Sequence, residues 1–337
     1  MRAVQLMSFG NPVEGLRYVD IPEPDAPGPN QVLLGVEFSP INPNDLMVAE
    51  GIYKVRPPLP AVIGNEGVGR VLAVGPGVKS VKAGDRVLAP LGSFTWRERM
   101  VIPAGGLSAL PPDATAQQLA MLGINPPTAA LLLSEYVDLK PGEWVVQNAA
   151  NSGVGRWVIA FAKTRGLKTV NIVRRPELVA ELEAIGADVV VIDSPDVSER
   201  IKAAVGKATG GKATGGQAEL RLALDGVSGP ATGVLAATLS PHGTLVSFAA
   251  MSETAMSISP LDVIFKPLTM RGFWLGHPEV AVKIAPAIEQ AAAMIASGQV
   301  QIPVAATYPL SSIKDAVAHA QRGGKVLLDV AGASSVA

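Results

Sequence analysis

The chain has 337 residues, 48% of them hydrophobic and 17% charged, with a formal net charge of -1; this places it in the globular rather than the disordered range, makes two domains the expectation, and gives no basic run that points to nucleic acid. It has no cysteine, so disulfides, thiolate zinc sites and a cysteine nucleophile are ruled out. The histidines, His242, His277 and His319, are too scattered for a metal-ligand motif, and each reads more simply as a packing or surface residue than as a catalytic one.

The opening "MRAVQLMSFGNP" has neither the apolar core of a signal peptide nor the Arg/Ser-rich run of a transit peptide, and later apolar runs stop short of a spanning length. A soluble, cytoplasmic protein is expected, or a chain whose targeting segment has been removed, with no membrane and no nucleic acid among its partners. Residues 1–110 read as β-rich: "QVLLGVEFSPI" and "VGRVLAVGPGV" are short branched runs punctuated by "PGPN", "GPGV" and "KAGD", the pattern of a small barrel or sandwich. "PDATAQQLAMLGINPPTAALLLSEY" switches to helical spacing, with a break between two helices expected at Pro126–Pro127.

From residue 143 the strands "WVVQNA", "KTVNIVR", "DVVVID", "LRLALDG" and "GTLVSFAA" alternate with the helices "GRWVIAFAKTRG", "ELVAELEAIG" and "SERIKAAVG". Such alternation means crossover units on a parallel sheet. The pentapeptide "GKATG" at 206–210 repeats at 211–215 and reads as an exposed, mobile loop, an anion-binding role for Lys207 and Lys212 being the lesser reading. Two more helices, in "EVAVKIAPAIEQAAAMIASGQV" and "SSIKDAVAHAQRG", precede a last strand, "KVLLDVAG".

Within "VVQNAANSGVGRWVIAFAKTRG" a strand meets a glycine turn and then a helix. Gly153 and Gly155 let the backbone turn tightly and bring a phosphate to the first helical N–H groups. The match to G-x-G-x-x-G is imperfect, because Ala150 stands at the first glycine. Alone, such a glycine pair is as well explained by a structural turn. The next strand ends in Arg174 and Arg175, where an NAD-binding protein carries an acid for the ribose hydroxyls. Arginines there suit a 2′-phosphate by charge and bidentate bonding, the plain alternative being solvated charges before a helix at Pro176. Position and the missing acid favour NADP.

"VEFSPINPNDLMVAEGIY", "PAVIGNEGVGRVLAVGPGVKSVKAGDRVL" and "NAANSGVGRWVIAFAKTRG" resemble motifs of the medium-chain dehydrogenase/reductase superfamily, over essentially the whole chain. The resemblance implies an α/β protein: a GroES-like β-barrel catalytic domain, 1–118 and 295–337, and a Rossmann domain with a doubly wound parallel sheet, 119–294. Zinc-dependent members place Cys where this chain has Asn44 and His where it has Asn65, so no metal is expected. "INPNDLMVAEGIYKVRPPLPAVIGNEG", "VVQNAANSGVGR", "TVNIVRR" and "VIFKPLTMRGFWL" resemble the zinc-free 2-enoyl thioester reductases, although Trp157 and Phe161 are bulkier than usual there.

That likeness implies NADPH-dependent reduction of an activated C=C bond in a trans-2-enoyl thioester, carried by CoA or acyl-carrier protein, or in a free enone. Hydride goes to the β-carbon and a proton to the α-carbon, with donors needed at the enolate oxygen. It implies Tyr53 as the catalytic residue, the plain reading being a half-buried loop tyrosine. It implies Asn44 and Trp274 in the substrate pocket, with a core or interface tryptophan nearly as good an account of Trp274. Asn44, Asn151, Ser152, Gly153, Val154 and Gly155 are implied at the cofactor, as are Arg174, Arg175, Phe248, Phe273, Trp274 and Lys325.

Asp45 and Asn65 either orient a ligand or cap turns, and the sequence leaves both open. Arg271 and Lys266 are candidates for a nucleotide or acyl-carrier phosphate, Lys266 reading better as a surface residue. The segment 268–275 is implied as an edge strand that pairs with its two-fold mate in a homodimer. An NADPH:quinone oxidoreductase shares this fold and cofactor, and an NADPH-binding protein without turnover is the alternative of another class.

Overall fold

The structure is a computed structural model that describes residues 1–208 and 219–332. It divides into two compact units, Met1–Ile124 with Ile288–Ala337, and Asn125–Ala287. The boundaries lie a few residues from the 118/119 and 294/295 read from sequence, the second one inside a helix.

The first unit holds β1 (Arg2–Leu6), α1 (Pro12–Gly15), β2 (Leu16–Asp20), β3 (Gln31–Ile41), α2 (Pro43–Glu50), β4 (Ala61–Val62), β5 (Val68–Val74), β6 (Arg86–Leu88), β7 (Arg99–Pro103) and α3 (Ala116–Leu119). It is completed by β14 (Ala306–Pro309), α11 (Ile313–Arg322) and β15 (Val326–Asp329). Its larger sheet runs β14-β15-β3-β5-β6, with β7 also on β3. β3 alternates half-buried and buried positions through its first half, as a sheet with one core face should. Val32, Leu34, Val36, Val71, Val87, Trp96 and Leu328 fill the core beneath it. Full burial of each such side chain stabilises by roughly 1.5–3 kcal/mol.

The second unit holds α4 (Asn125–Ser134), β8 (Trp144–Gln147), α5 (Gly153–Thr164), β9 (Lys168–Val173), α6 (Leu178–Ala184), β10 (Val189–Ile192), α7 (Val197–Ala208), β11 (Leu220–Asp225), α8 (Pro230–Thr238), β12 (Thr244–Ser247), α9 (Pro260–Phe265) and β13 (Thr269–Gly272). α10 (Ala281–Ala296) carries the boundary at 287/288. All its strand pairs are parallel, in the order β10-β9-β8-β11-β12-β13. The strand order reverses beside β8, which makes the carboxyl ends of β8 and β11 the ligand-binding crevice of such a sheet.

Several elements depart from the sequence reading. Pro126 and Pro127 lie inside the first turn of α4 rather than between helices; N–H groups there have no intrahelical acceptor, so proline loses nothing. α8 escaped notice because "PATGVLAAT" holds a glycine and two threonines. It forms by burying Leu235 and Ala236 against the sheet, and a Cβ at Gly233 would come within 2.6 Å of the Ser257 carbonyl. Lys207 and Ala208, read as loop, extend α7 past Gly206, while 209–215 of the doubled pentapeptide lie outside the described residues.

Candidate functional site

In the first unit, antiparallel pairing of β15 with β3 puts Val326 opposite Ile41. The next residues out, Lys325 and Asn42, therefore face each other, and Lys325 Nζ donates to Asn42 Oδ1 at 2.6 Å. Asn42 is the N-cap of α2, and its Nδ2 donates to Glu66 Oε1 at 2.8 Å. The other oxygen of Glu66 accepts the Ile124 N–H at 2.9 Å. Asp45, in the first turn of α2, accepts the Asn42 N–H at 2.8 Å and both the N–H and Nδ2 of Asn65, at 2.9 and 2.7 Å. Asp45 and Asn65 are thus spent on each other, which favours the turn-capping reading of both.

Two fully buried carboxylates share this site with one ammonium. Burial raises Glu66 to about 7 and Asp45 to about 6, against the N–H donors on each and the charge of Lys325. The same burial pushes the Lys325 ammonium down. Glu66 and Asn42 form the centre of this network, and sequence reasoning missed both. They carry no motif of their own, and only the strand register brings Lys325 to them.

Tyr53 follows α2 in a loop, half-buried, with its N–H on the Met47 carbonyl at 3.1 Å and its ring packed against the barrel core. Asn44, at the second position of α2, is half-buried and its side chain makes no hydrogen bond among the described residues, which leaves its amide open to a ligand.

In the second unit, β8 runs into a tight turn and then α5. Ser152 caps the helix by accepting the Gly155 N–H at 3.0 Å. The N–H groups of Gly153 and Val154 keep no acceptor among the described residues, at the positive end of the helix dipole. A Cβ at Gly155 would approach the Ala150 carbonyl to 2.5 Å, and one at Gly153 would reach Asn125 Nδ2 at 2.8 Å. Ala149 is held at φ 48, a conformation that costs roughly 1–2 kcal/mol for a residue with a Cβ. Its neighbour offsets this: Asn148 donates to Asp225 at 2.7 Å and accepts the Gly226 N–H at 2.7 Å, locking the ends of β8 and β11 together.

Arg174 and Arg175 are exposed just past β9, at the carboxyl edge of the same sheet. Arg175 faces Glu177 at 3.6 Å, and Arg174 makes no ion pair among the described residues. The turn and these arginines fit a dinucleotide with a 2′-phosphate. Phe248 follows β12, its ring 2.9 Å from where a Gly226 Cβ would lie. Phe273 follows β13, buried edge-on to Tyr136, and Trp274 is half-buried with its ring edge-on to His277 at 5.2 Å. Lys266 donates to the Ala236 and Ala237 carbonyls at 2.7 and 3.0 Å and pairs with Asp262. It caps the C-terminal end of α8, a structural role in place of a phosphate contact. Trp157 is buried and stacks on Phe161 at 5.2 Å, so its bulk is taken up by packing along α5.

Residues 28–112 match the family described as alcohol dehydrogenase GroES-like domain, and 153–297 match the one described as zinc-binding dehydrogenase. The mitochondrial enoyl-[acyl-carrier-protein] reductase of Caenorhabditis elegans is 37% identical over 80% of this chain and 76% of its own. The chain belongs to the medium-chain dehydrogenase/reductase superfamily. Among solved reductases of this superfamily, the complex of Candida tropicalis Etr1p with NADP and crotonyl-CoA is similar with a TM-score of 0.85 and 28% identity, covering 97% of this chain and 99% of that one. A quinone oxidoreductase of Pseudomonas syringae is similar with a TM-score of 0.80 and 29% identity, covering 97% and 99%.

The C. elegans relative is mitochondrial, as is the corresponding rat protein, and this overturns the cytoplasmic expectation. That expectation rested on the composition of the first residues and on the shortness of the later apolar runs. Zinc does not fit this reductase. Asn44 and Asn65 offer neither thiolate nor imidazole, the Asn65 amide is engaged by Asp45, and among the described residues no three His, Cys, Asp or Glu side chains gather.

The buried acids predict an unusual pH dependence. Above the ordinary glutamate value of 4.5 the unfolded chain releases a proton that folded Glu66 keeps until about 7. Stability from this group therefore falls as pH rises through that window, by on the order of 3 kcal/mol. Urea midpoints measured from about pH 5 to about pH 8 are expected to fall more steeply in the unmodified protein than in Glu66→Gln. Parallel curves for the two would contradict the burial argument.

Proposed function

We propose that this protein is a zinc-independent, NADPH-dependent reductase of trans-2-enoyl thioesters. The observation that carries this is the likeness, over nearly the whole chain, to a reductase holding NADP and crotonyl-CoA together. The glycine turn without room for side chains and the arginines in place of a ribose-binding acid support NADPH as the cofactor.

NADPH supplies a hydride to the β-carbon. Gly153 and Val154 are proposed to receive its pyrophosphate through their N–H groups, with Asn151 and Ser152 flanking it. Arg174 and Arg175 bind the 2′-phosphate. Lys325, held in place by Asn42, is proposed to bind the cofactor. Phe248, Phe273 and Trp274 supply apolar surface, with Trp274 and Asn44 also at the substrate. Tyr53 directs its hydroxyl at the thioester carbonyl oxygen, where charge develops, or gives its proton to the α-carbon.

The quinone oxidoreductase likeness keeps one rival in play. Steady-state turnover of crotonyl-CoA and of benzoquinone, each with NADPH and with NADH, separates them. Crotonyl-CoA turnover with NADPH preferred is expected. Quinone turnover alone would replace the reading, and bound NADPH with no turnover of either would make the protein a non-catalytic binder. An acyl-carrier thioester assayed beside crotonyl-CoA identifies the carrier.

Tyr53→Phe removes one hydroxyl and keeps the ring, so folding and NADPH binding should survive. With crotonyl-CoA and saturating NADPH, kcat is expected to drop roughly 10²–10⁴-fold. A kcat within about twofold of the unmodified enzyme would remove Tyr53 from the mechanism.

A homodimer through β13 is part of this reading. β13 is the sheet's edge and all four of its residues are exposed. In the same unit α9 leaves Leu261 61%, Ile264 65% and Phe265 74% exposed, more apolar surface than a lone domain usually shows. Light scattering at micromolar concentration should give twice the chain mass. A monomer would leave this surface unexplained and end the dimer proposal.

A further inference from the structure

Arg156 is a charged residue in the first turn of α5, and its side chain is only 8% exposed. A cation at that end of a helix opposes the dipole, and a buried one needs partners. It has two. Its Nε donates to the Asn151 carbonyl, in the glycine turn, at 3.1 Å, and its Nη2 donates to Glu181 Oε1, on α6, at 2.5 Å. α6 follows directly on the loop 174–177 that begins with Arg174 and Arg175. One planar guanidinium thus bonds at once to the turn after β8 and to the helix behind the loop after β9.

α6 needs such a tie. It has seven residues and no side-chain N-cap, so it is weak as an isolated helix. Leu178 and Leu182 hold it down on Ala150, Ile159 and Val173. Apolar contact of this kind is not directional and leaves the helix free to slide along its axis. The fork geometry of arginine fixes direction as well as distance, which a lysine would not do. Gln147 anchors the residue before Arg156, its Nε2 donating to the Gly155 carbonyl at 2.9 Å.

We propose that Arg156 is a positioning residue that sets the pyrophosphate turn and the 2′-phosphate loop relative to each other, through Asn151 on one side and Glu181 on the other. The proposal rests on the reading that these two segments receive NADPH. Its consequence is a link between cofactor specificity and a pair that touches neither phosphate. NADPH engages both segments and depends on their spacing; NADH lacks the 2′-phosphate and depends on the turn alone.

The test is the dissociation constant of NADPH and of NADH, by fluorescence titration, for Glu181→Gln, Arg156→Met, Arg156→Lys and the Glu181→Gln/Arg156→Met pair. Arg174→Ala/Arg175→Ala serves as the reference for the underlying reading. Glu181→Gln is expected to weaken NADPH roughly fivefold or more while NADH stays within about twofold. Arg156→Met should weaken both, NADPH more, and adding Glu181→Gln to it should change little, because the shared bond is already gone. Arg156→Lys should not restore NADPH.

An equal loss for both cofactors in Glu181→Gln, no loss at all, or full additivity in the pair would overturn the proposal. If the reference variant loses NADPH affinity while Glu181→Gln keeps it, the tie alone is wrong. If the reference variant keeps NADPH affinity too, the arginine reading fails and the tie falls with it. Should Arg156→Met fail to fold, Glu181→Gln decides by itself, since its side chain is 41% exposed and its removal opens no cavity in the core.

Discussion

Strand β3 is the constraint on which the barrel unit depends. Over eleven residues it is paired along one edge by β5, and along the other first by β7 and then by β15. The register of the last pairing decides the chemistry beyond it. With Val326 opposite Ile41, the ammonium of Lys325 meets the cap of α2, and the cap in turn meets Glu66. A slip of one residue would turn every side chain of β15 to the other face. It would strip a half-buried ammonium of its partner and leave two buried acids with no cation. Correct pairing and correct electrostatics are therefore one event, and a misregistered barrel is penalised twice.

Much of the second unit was legible because its strands are buried on both faces and so read as unbroken apolar runs. "WVVQ" and "KTVNIV" are buried almost throughout. The turn between them announced itself through Ser152, Gly153 and Gly155, whose residue types answer a local steric and hydrogen-bonding need. The network around Lys325 did not, since its members are joined across 283 positions and each is an ordinary residue in its own neighbourhood. Asp45 and Asn65 could be noticed as polar residues in apolar company, but their mutual bonds decide what they do. Lys266 looked like surface charge, and only the end of α8, itself unread, gives it a task.

The two units arrange their polar groups in contrasting ways. The turn before α5 offers N–H groups and a helix end, dipoles fixed in place by Ser152, Asn148 and Gln147 and needing no net charge. The barrel site holds ionisable groups out of water, two acids to one base. Replacing such a cluster with apolar residues often stabilises a protein. Its retention here is understandable if the ammonium's position matters more than the stability it costs. Strain at Ala149 belongs to the same pattern, a local cost borne in the turn proposed to receive the cofactor.

The strand order of the barrel unit also bears on how the chain is made. Residues 125–287 are contiguous, so the parallel-sheet unit can close as soon as it leaves the ribosome. The other unit cannot, because β3 must wait for a strand about three hundred residues behind it in translation. At 5–20 residues per second, that leaves its open edge and apolar face exposed for roughly 15–60 seconds. During synthesis residues Phe38–Ile41 of β3, the part that β15 later pairs, wait longest for their partner strand.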